Sequence, residues 1–157
     1  KAAGRMVSFD TNLRLKLWPK DRARAVIMDM MGLCDVSLPS YDDLAALTGN
    51  EDEDALVDFA LACGAPVVAL KNGNKGAIVA SPDARHRIAP YPVDAVDATG
   101  AGDTFGGAFV ARLLAGDGLA AAGRYAGVAA ALSTTGFGAV APIPHAAQVK
   151  KALASWT

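Results

Sequence analysis

The stretch VDATGAGDTFGGAF, residues 96–109, places an aspartate, Asp103, among glycines where an apolar helix is predicted to begin. Neither common phosphate-binding loop fits this stretch. A Walker loop requires a Gly-Lys pair, and a dinucleotide loop requires its third glycine at the position of Phe105. A carboxylate in such a turn would also repel a pyrophosphate held at the helix N-terminus. The stretch is therefore not a static phosphate loop of either kind.

The same turn suits an anion that gains negative charge during a reaction. The backbone N–H groups of Gly100, Ala101 and Gly102 are predicted to face open space, as they would in an anion hole. Asp103 lies in the first helical turn, where the helix dipole favours an ionised carboxylate that can accept a proton from an alcohol. This combination fits phosphoryl transfer. The spacing alone equally allows an ordinary N-terminal aspartate after a Gly-rich turn.

Helical and strand patterns alternate along the chain, which predicts an α/β protein with a sheet flanked by helices. Apolar runs predict strands at 5–10, 35–40, 65–73, 77–81 and 84–90. The last two are expected to pair as an antiparallel hairpin. Periodic apolar positions predict helices at 20–34, 41–49, 52–64, 101–115, 119–135 and 145–155.

Composition limits the function classes. The chain has 157 residues and a net charge of −1 without a basic block, which argues against nucleic-acid or anionic-lipid binding. We expect no membrane span and no signal peptide, because no apolar run approaches the ~18 residues a span needs. Cys34 and Cys63 are far apart and predict free thiols in a reducing compartment, the cytoplasm. The start without Met predicts the later part of a longer protein.

The segment 97–109 resembles the C-terminal signature of the ribokinase-like (PfkB) carbohydrate kinases, DTxGAGD followed by an aromatic and small residues. The resemblance extends over nearly the whole chain. It implies a Rossmann-like three-layer α/β/α fold, of which residues 1–157 are the single C-terminal ATP-binding and catalytic portion, without the N-terminal half and lid. It also implies ATP-dependent phosphorylation of a sugar hydroxyl. Asp103 would be the base, and the N–H groups of Gly100, Ala101 and Gly102 would hold the transferred phosphoryl.

A second stretch, SFDTNLRLKLW at 8–18, resembles the D-x-N-x-R-x-x-LW segment of fructokinases and 2-keto-3-deoxygluconate kinases. Asp10, Asn12 and Arg14 would share one face of an extended strand, at the end where open α/β sheets bind ligands. The Arg14 guanidinium suits the carboxylate of a sugar acid, with a surface ion pair as the alternative. The preferred substrate is therefore 2-keto-3-deoxygluconate, giving the 6-phosphate, and fructose is the alternative.

The resemblance also implies ATP and Mg²⁺ as cofactors, with K⁺ as a further option at Asp97 and Thr99. Asp43 lies where the family carries an acidic residue that orders magnesium-bound phosphates, although SYDD alone predicts only helix capping. The segment LKNGNKGAIV, 70–79, resembles the strand–turn–strand that borders the nucleotide, with a plain Gly/Asn hairpin loop as the alternative. The residues assigned to ATP are Lys71, Gly73, Gly76, Thr99, Gly100, Gly102, Ser133 and Gly138.

Two functions of other classes stay open. The chain could be a nucleotide-binding fragment without catalytic activity. A nicotinamide-binding oxidoreductase is disfavoured, because Gly106 comes one residue late for the dinucleotide pattern. The expected partners are ATP and a sugar or sugar acid, with no nucleic acid and no membrane, and the full-length protein is a candidate homo-oligomer.

Overall fold

The computed structural model describes residues 1–156, which form five strands, six α-helices and a 3₁₀ turn at Gly73–Lys75. The strands are β1 (Ser8–Phe9), β2 (Val36–Ser37), β3 (Val67–Lys71), β4 (Ala77–Ser81) and β5 (Ala84–Ile88). The helices are α1 (Lys20–Leu33), α2 (Tyr41–Thr48), α3 (Glu53–Ala62), α4 (Ala101–Leu114), α5 (Leu119–Ser133) and α6 (Ala146–Ser155). All predicted strands and helices are present, so the α/β class is confirmed.

The strands lie in one sheet in chain order, β1-β2-β3-β4-β5. The first three are parallel, with Ser8 and Val67 on either side of Val36, and Phe9 and Val68 on either side of Ser37. Because parallel strands end at the same edge, the segments that follow β1, β2 and β3 come together there. This edge positions several of the predicted site residues.

The first two strands are shorter than predicted. The strand expected at 5–10 is reduced to β1, since Asn12 beyond it adopts a left-handed backbone with φ of 38°. The strand expected at 35–40 is reduced to β2, and Pro39 beyond it has no N–H to donate to a ladder. A polar segment, residues 10–12, begins after β1, whereas the chain after β2 continues beside β3 to a parallel bridge between Ser40 and Lys71.

The chain divides into two compact units, Lys1–Asn72 with Ile78–Arg85, and Gly73–Ala77 with the residues from His86 onward. In the first unit, apolar side chains of α1, α2, α3 and the strands form the core. Its largest fully buried side chains are Ile27, Met31, Leu44, Leu47, Leu56, Leu70, Val36, Val57, Val68 and Val79. They are contributed by α1, α2, α3, β2, β3 and β4.

In the second unit, α4 packs on α5 and α5 packs on α6. Phe105 and Phe109 of α4 are buried. Near the end of the described chain, Trp156 meets the Tyr91 ring edge-on at 5.3 Å between centroids, and the Arg124 guanidinium lies 5.4 Å from the Trp156 ring. None of the helices within residues 1–156 combines the length and apolarity of a bilayer span.

Candidate functional site

The turn before α4 depends on the backbone of Gly100. Gly100 is the N-cap of α4 and adopts φ of 77°, in the left-handed region that glycine tolerates best. A Cβ added there would lie 3.0 Å from both the Cβ and the carbonyl oxygen of Ala139. Glycine is therefore needed at this position for its backbone conformation and for the close approach of the Ala139 segment.

Asp103 and two backbone N–H groups are left without internal partners at this turn. Within residues 1–156 the N–H groups of Gly100 and Gly102 donate to no acceptor, and the exposed Asp103 carboxylate has neither a hydrogen bond nor an ion pair. Ala101 differs from the prediction, because its N–H donates to the Ala98 carbonyl at 3.1 Å and closes the turn. The turn thus presents one carboxylate and two of the three predicted donors.

Asp97 ties the start of this turn to the loop that follows α5. Its Oδ1 accepts hydrogen bonds from the Thr99 hydroxyl at 2.6 Å and the Thr99 N–H at 2.9 Å. Its Oδ2 accepts from the N–H of Gly138 at 2.8 Å. These bonds, that of the Thr99 hydroxyl first, lower the pKa of Asp97 to about 2. Asp97 therefore holds two segments of the second unit together as an ionised group.

This arrangement predicts an acid sensitivity that belongs to Asp97. Its pKa is lower in the folded state than the ordinary value, so its stabilisation is complete above about pH 4 and is lost as pH falls towards about 2. As the pH is lowered from about 4 to about 2, the urea concentration at the midpoint of unfolding should fall less steeply for Asp97→Asn than for the wild type. Asp94→Asn, which changes an exposed carboxylate of the same unit, should keep the wild-type slope. Equal slopes for all three proteins would contradict this role.

The same hydrogen bonds reduce the capacity of the Asp97 and Thr99 side-chain oxygens to coordinate a monovalent cation. Oδ1 of Asp97 already accepts two bonds, and the Thr99 hydroxyl hydrogen is directed at that oxygen. The two side chains therefore offer few free oxygen lone pairs, whereas alkali cations in proteins are coordinated by rings of oxygens. The described part of the chain also holds no group of three or more His, Cys, Asp or Glu residues placed for a metal. K⁺ at Asp97 and Thr99 stays a prediction.

In the first unit, the predicted sugar-binding residues lie on the segment that follows β1. Thr11 and Leu13 are buried while Asn12 and Arg14 are exposed, so the predicted alternation continues although the strand has ended. The Asn12 N–H donates to Oδ1 of Asp10 at 3.2 Å. Arg14 donates from Nη1 only to the neighbouring carbonyl of Leu13, at 2.8 Å.

Two residues from neighbouring elements fix this segment, and neither role was predicted. Oδ2 of Asp43, in the first turn of α2, accepts from the Thr11 hydroxyl at 2.7 Å and the Leu13 N–H at 3.1 Å. Lys71, the last residue of β3, places its ammonium 2.5 Å from Oδ2 of Asp10. The structure thus brings Asp10, Asp43 and Lys71 to one segment. The signal available in the sequence was that all three lie at or shortly after the carboxyl ends of strands, where open α/β sheets bind ligands.

The other residues assigned to ATP lie in the second unit. Gly73 begins the 3₁₀ turn, Gly76 follows it, and Gly138 is exposed and bonded to Asp97. Ser133 is only 2% exposed, and its hydroxyl donates to the Ala130 carbonyl at 2.8 Å. That hydroxyl is used within α5, which argues against its predicted contact with a nucleotide.

Known proteins are similar to this chain in sequence and in fold. The chain is 34% identical to probable fructokinase-4 of Arabidopsis thaliana over 98% of its length and 50% of the relative's. It is 37% identical to the 2-dehydro-3-deoxygluconokinase of Bacillus subtilis, over 73% of the chain and 36% of that protein. The chain thus spans about half or less of the length of these curated relatives.

A solved structure agrees with these relatives. Aminoimidazole riboside kinase of Salmonella enterica, in complex with aminoimidazole riboside and an ATP analogue, superposes with a TM-score of 0.89 at 29% identity. The match covers 98% of this chain and 54% of that kinase, which confirms the predicted ribokinase-like fold class. The family model described as pfkB family carbohydrate kinase matches residues 1–146. The chain belongs to the pfkB family of carbohydrate kinases.

Proposed function

We propose that residues 1–157 form the ATP-binding and catalytic portion of an enzyme that transfers the γ-phosphoryl of ATP to a sugar hydroxyl. The observation that carries this proposal is the turn before α4. There an exposed carboxylate without a partner, Asp103, lies next to the unpaired N–H groups of Gly100 and Gly102. A base beside preorganised donors is what phosphoryl transfer to an alcohol requires.

Each group has one task in the proposed reaction. The Asp103 carboxylate accepts the proton of the sugar hydroxyl as its oxygen bonds to the γ-phosphorus. The bond from that phosphorus to the β,γ-bridging oxygen breaks, and ADP leaves with the bonding electrons. The N–H groups of Gly100 and Gly102 stabilise the negative charge on the oxygens of the transferred group. The products are a sugar phosphate, ADP and the proton on Asp103.

Mg²⁺ is proposed to accompany ATP and to supply positive charge to its phosphates. The carboxylate proposed for this role is that of Asp43, whose Oδ2 accepts hydrogen bonds from Thr11 and Leu13 and whose Oδ1 accepts no hydrogen bond from residues 1–156. One free carboxylate oxygen suits a contact through a magnesium-bound water, because Mg²⁺ in kinases keeps several waters. Asp43 therefore fits the indirect role that its sequence position implies.

The preferred acceptor is 2-keto-3-deoxygluconate, phosphorylated on its 6-hydroxyl. Arg14 supports this choice, because its guanidinium is exposed and donates only to the Leu13 carbonyl. The remaining N–H groups are able to pair with a carboxylate in a bidentate manner. Fructose is the second candidate, supported by the fructokinase relative that aligns over 98% of the chain.

An Arg14→Lys variant tests the sugar-acid contact. Lysine keeps the charge but loses the planar fork, and one lost charge-assisted hydrogen bond corresponds to about a tenfold change. The KM for 2-keto-3-deoxygluconate should therefore rise about tenfold while the KM for ATP stays within about twofold. Arg22→Lys, on the exposed face of α1, is the control and should change neither. Equal rises for both substrates would indicate damage to the fold and would remove Arg14 from this role.

The identity of the acceptor is tested by measuring kcat/KM of the full-length protein for 2-keto-3-deoxygluconate and for fructose, in the presence of ATP and Mg²⁺. The proposal expects the sugar acid to be preferred, and phosphorylation of fructose alone would replace it. Binding of ATP, measured separately by calorimetry, separates an active kinase from a nucleotide-binding fragment without turnover. The homo-oligomeric state and the cytoplasmic location stay predictions.

A further inference from the structure

Lys71 lies at the sheet edge from which the predicted sugar-binding segment emerges. Its backbone N–H donates to the Pro39 carbonyl at 2.9 Å, and it forms a parallel bridge with Ser40, the N-cap of α2. These contacts fix the end of β3 beside the first turn of α2. The side chain of Lys71 therefore starts from a rigid backbone and reaches the segment after β1.

The ammonium group of Lys71 is engaged by Asp10. Only 12% of the Lys71 side chain and 32% of the Asp10 side chain are exposed, and the two charged groups lie 2.5 Å apart. A charge removed from water to this extent is stable only with a partner, so separating the pair is costly. Lys71 is consequently held by Asp10, and a contact with a nucleotide phosphate would compete with this ion pair.

The ion pair between Lys71 and Asp10 also affects the net charge of the segment to which the sugar acceptor is proposed to bind. An isolated Asp10 carboxylate would repel an anionic sugar, and the Lys71 ammonium neutralises it. Asp43 has its Oδ2 bonded to Thr11 and Leu13. Arg14 and Lys16 are then exposed cations of the segment 8–18 without an ionic partner in residues 1–156. The local charge balance favours an acceptor that carries a carboxylate.

We propose that Lys71 is a positioning and specificity-determining residue for an anionic sugar acceptor, which it serves by holding and neutralising Asp10, and that it is not a nucleotide ligand. This inference rests on the proposed sugar-kinase function and replaces the ATP contact that the sequence suggested for Lys71. According to this inference, the preference for a sugar acid over a neutral sugar depends on the ion pair between Lys71 and Asp10.

The experiment compares Lys71→Met, the double variant Lys71→Met/Asp10→Asn and the control Lys20→Met, an exposed lysine at the start of α1. Lys71→Met leaves Asp10 negative, so the ratio of KM for 2-keto-3-deoxygluconate to KM for fructose should rise about tenfold. The double variant removes both charges and should return this ratio towards the wild-type value. The Kd for MgATP should stay within about twofold in all variants.

The inference would be overturned if Lys71→Met raised the Kd for MgATP at least as much as the KM for the sugar acid. It would also be overturned if adding Asp10→Asn did not return the ratio of the two KM values towards that of the wild type. If the wild type phosphorylates neither sugar, the proposed function fails by itself. Lys71 is then judged by MgATP affinity and by the free energies of unfolding of the two single variants and the double variant. Unchanged affinity with strong coupling between Lys71 and Asp10 supports the pair, and weakened affinity or additive effects overturn it.

Discussion

Asp103→Asn is expected to reduce the rate of phosphoryl transfer at least ~10²-fold, which is the usual scale for the loss of a general base. The amide has the size of the carboxylate but cannot accept the proton of the sugar hydroxyl. Because Asp103 is exposed and its carboxylate forms no hydrogen bond or ion pair within residues 1–156, its replacement should leave the fold and the affinity for ATP nearly unchanged. Turnover is measured by coupled ADP release and ATP affinity by calorimetry.

Asp94→Asn is the matched control for this variant, since Asp94 is also an exposed aspartate of the second unit. It should transfer phosphoryl at the wild-type rate. A fall of less than about threefold for Asp103→Asn would remove Asp103 from the role of base. A parallel loss of ATP affinity would instead assign its carboxylate to nucleotide binding.

Gly76→Ala should destabilise the protein by about 2–4 kcal/mol, through backbone strain and overpacking together. Gly76 has φ of 92°, a conformation that residues with a side chain rarely adopt. An added Cβ would also lie 2.0 Å from the Ile88 carbonyl oxygen, so the backbone after β5 would have to move. The free energy of unfolding in urea measures the loss.

Gly116→Ala separates the two contributions. Gly116 has the same φ of 92°, but nothing lies within 4 Å of an added Cβ. Its cost should therefore be the backbone strain alone, about 1–2 kcal/mol. If both variants lose the same free energy, the close approach of Ile88 to Gly76 does not contribute, and the steric argument is wrong.

Features that depend on local sequence were predictable. The helices followed from apolar periodicity and their ends from residues such as Gly49, which caps α2 with φ of 76°. The turn before α4 followed from the spacing of Gly100, Gly102 and Asp103, because a left-handed N-cap and a first-turn carboxylate depend on neighbours in the chain. The family signature lies in this same local stretch, which is why it identified the fold.

Features that depend on distant pairing were not predictable from single segments. Lys71 and Asp10 are 61 positions apart, and the Asp97 carboxylate reaches the N–H of Gly138, 41 positions away. Their contacts depend on strand order and on how loops return to the α4 turn. Ser133 shows the reverse problem, since its hydroxyl, predicted to contact a nucleotide, donates to the Ala130 carbonyl of the same helix.

The sugar-kinase function is tested most directly with ATP radiolabelled at its γ-phosphate. The full-length protein is incubated with this ATP, Mg²⁺ and 2-keto-3-deoxygluconate, and the position of the label is then determined. The expected result is label in a phosphate ester on the sugar 6-hydroxyl, with one ADP formed for each ester. Label that stays in ATP or appears only as inorganic phosphate, with fructose equally unlabelled in a parallel reaction, would contradict the sugar-kinase function.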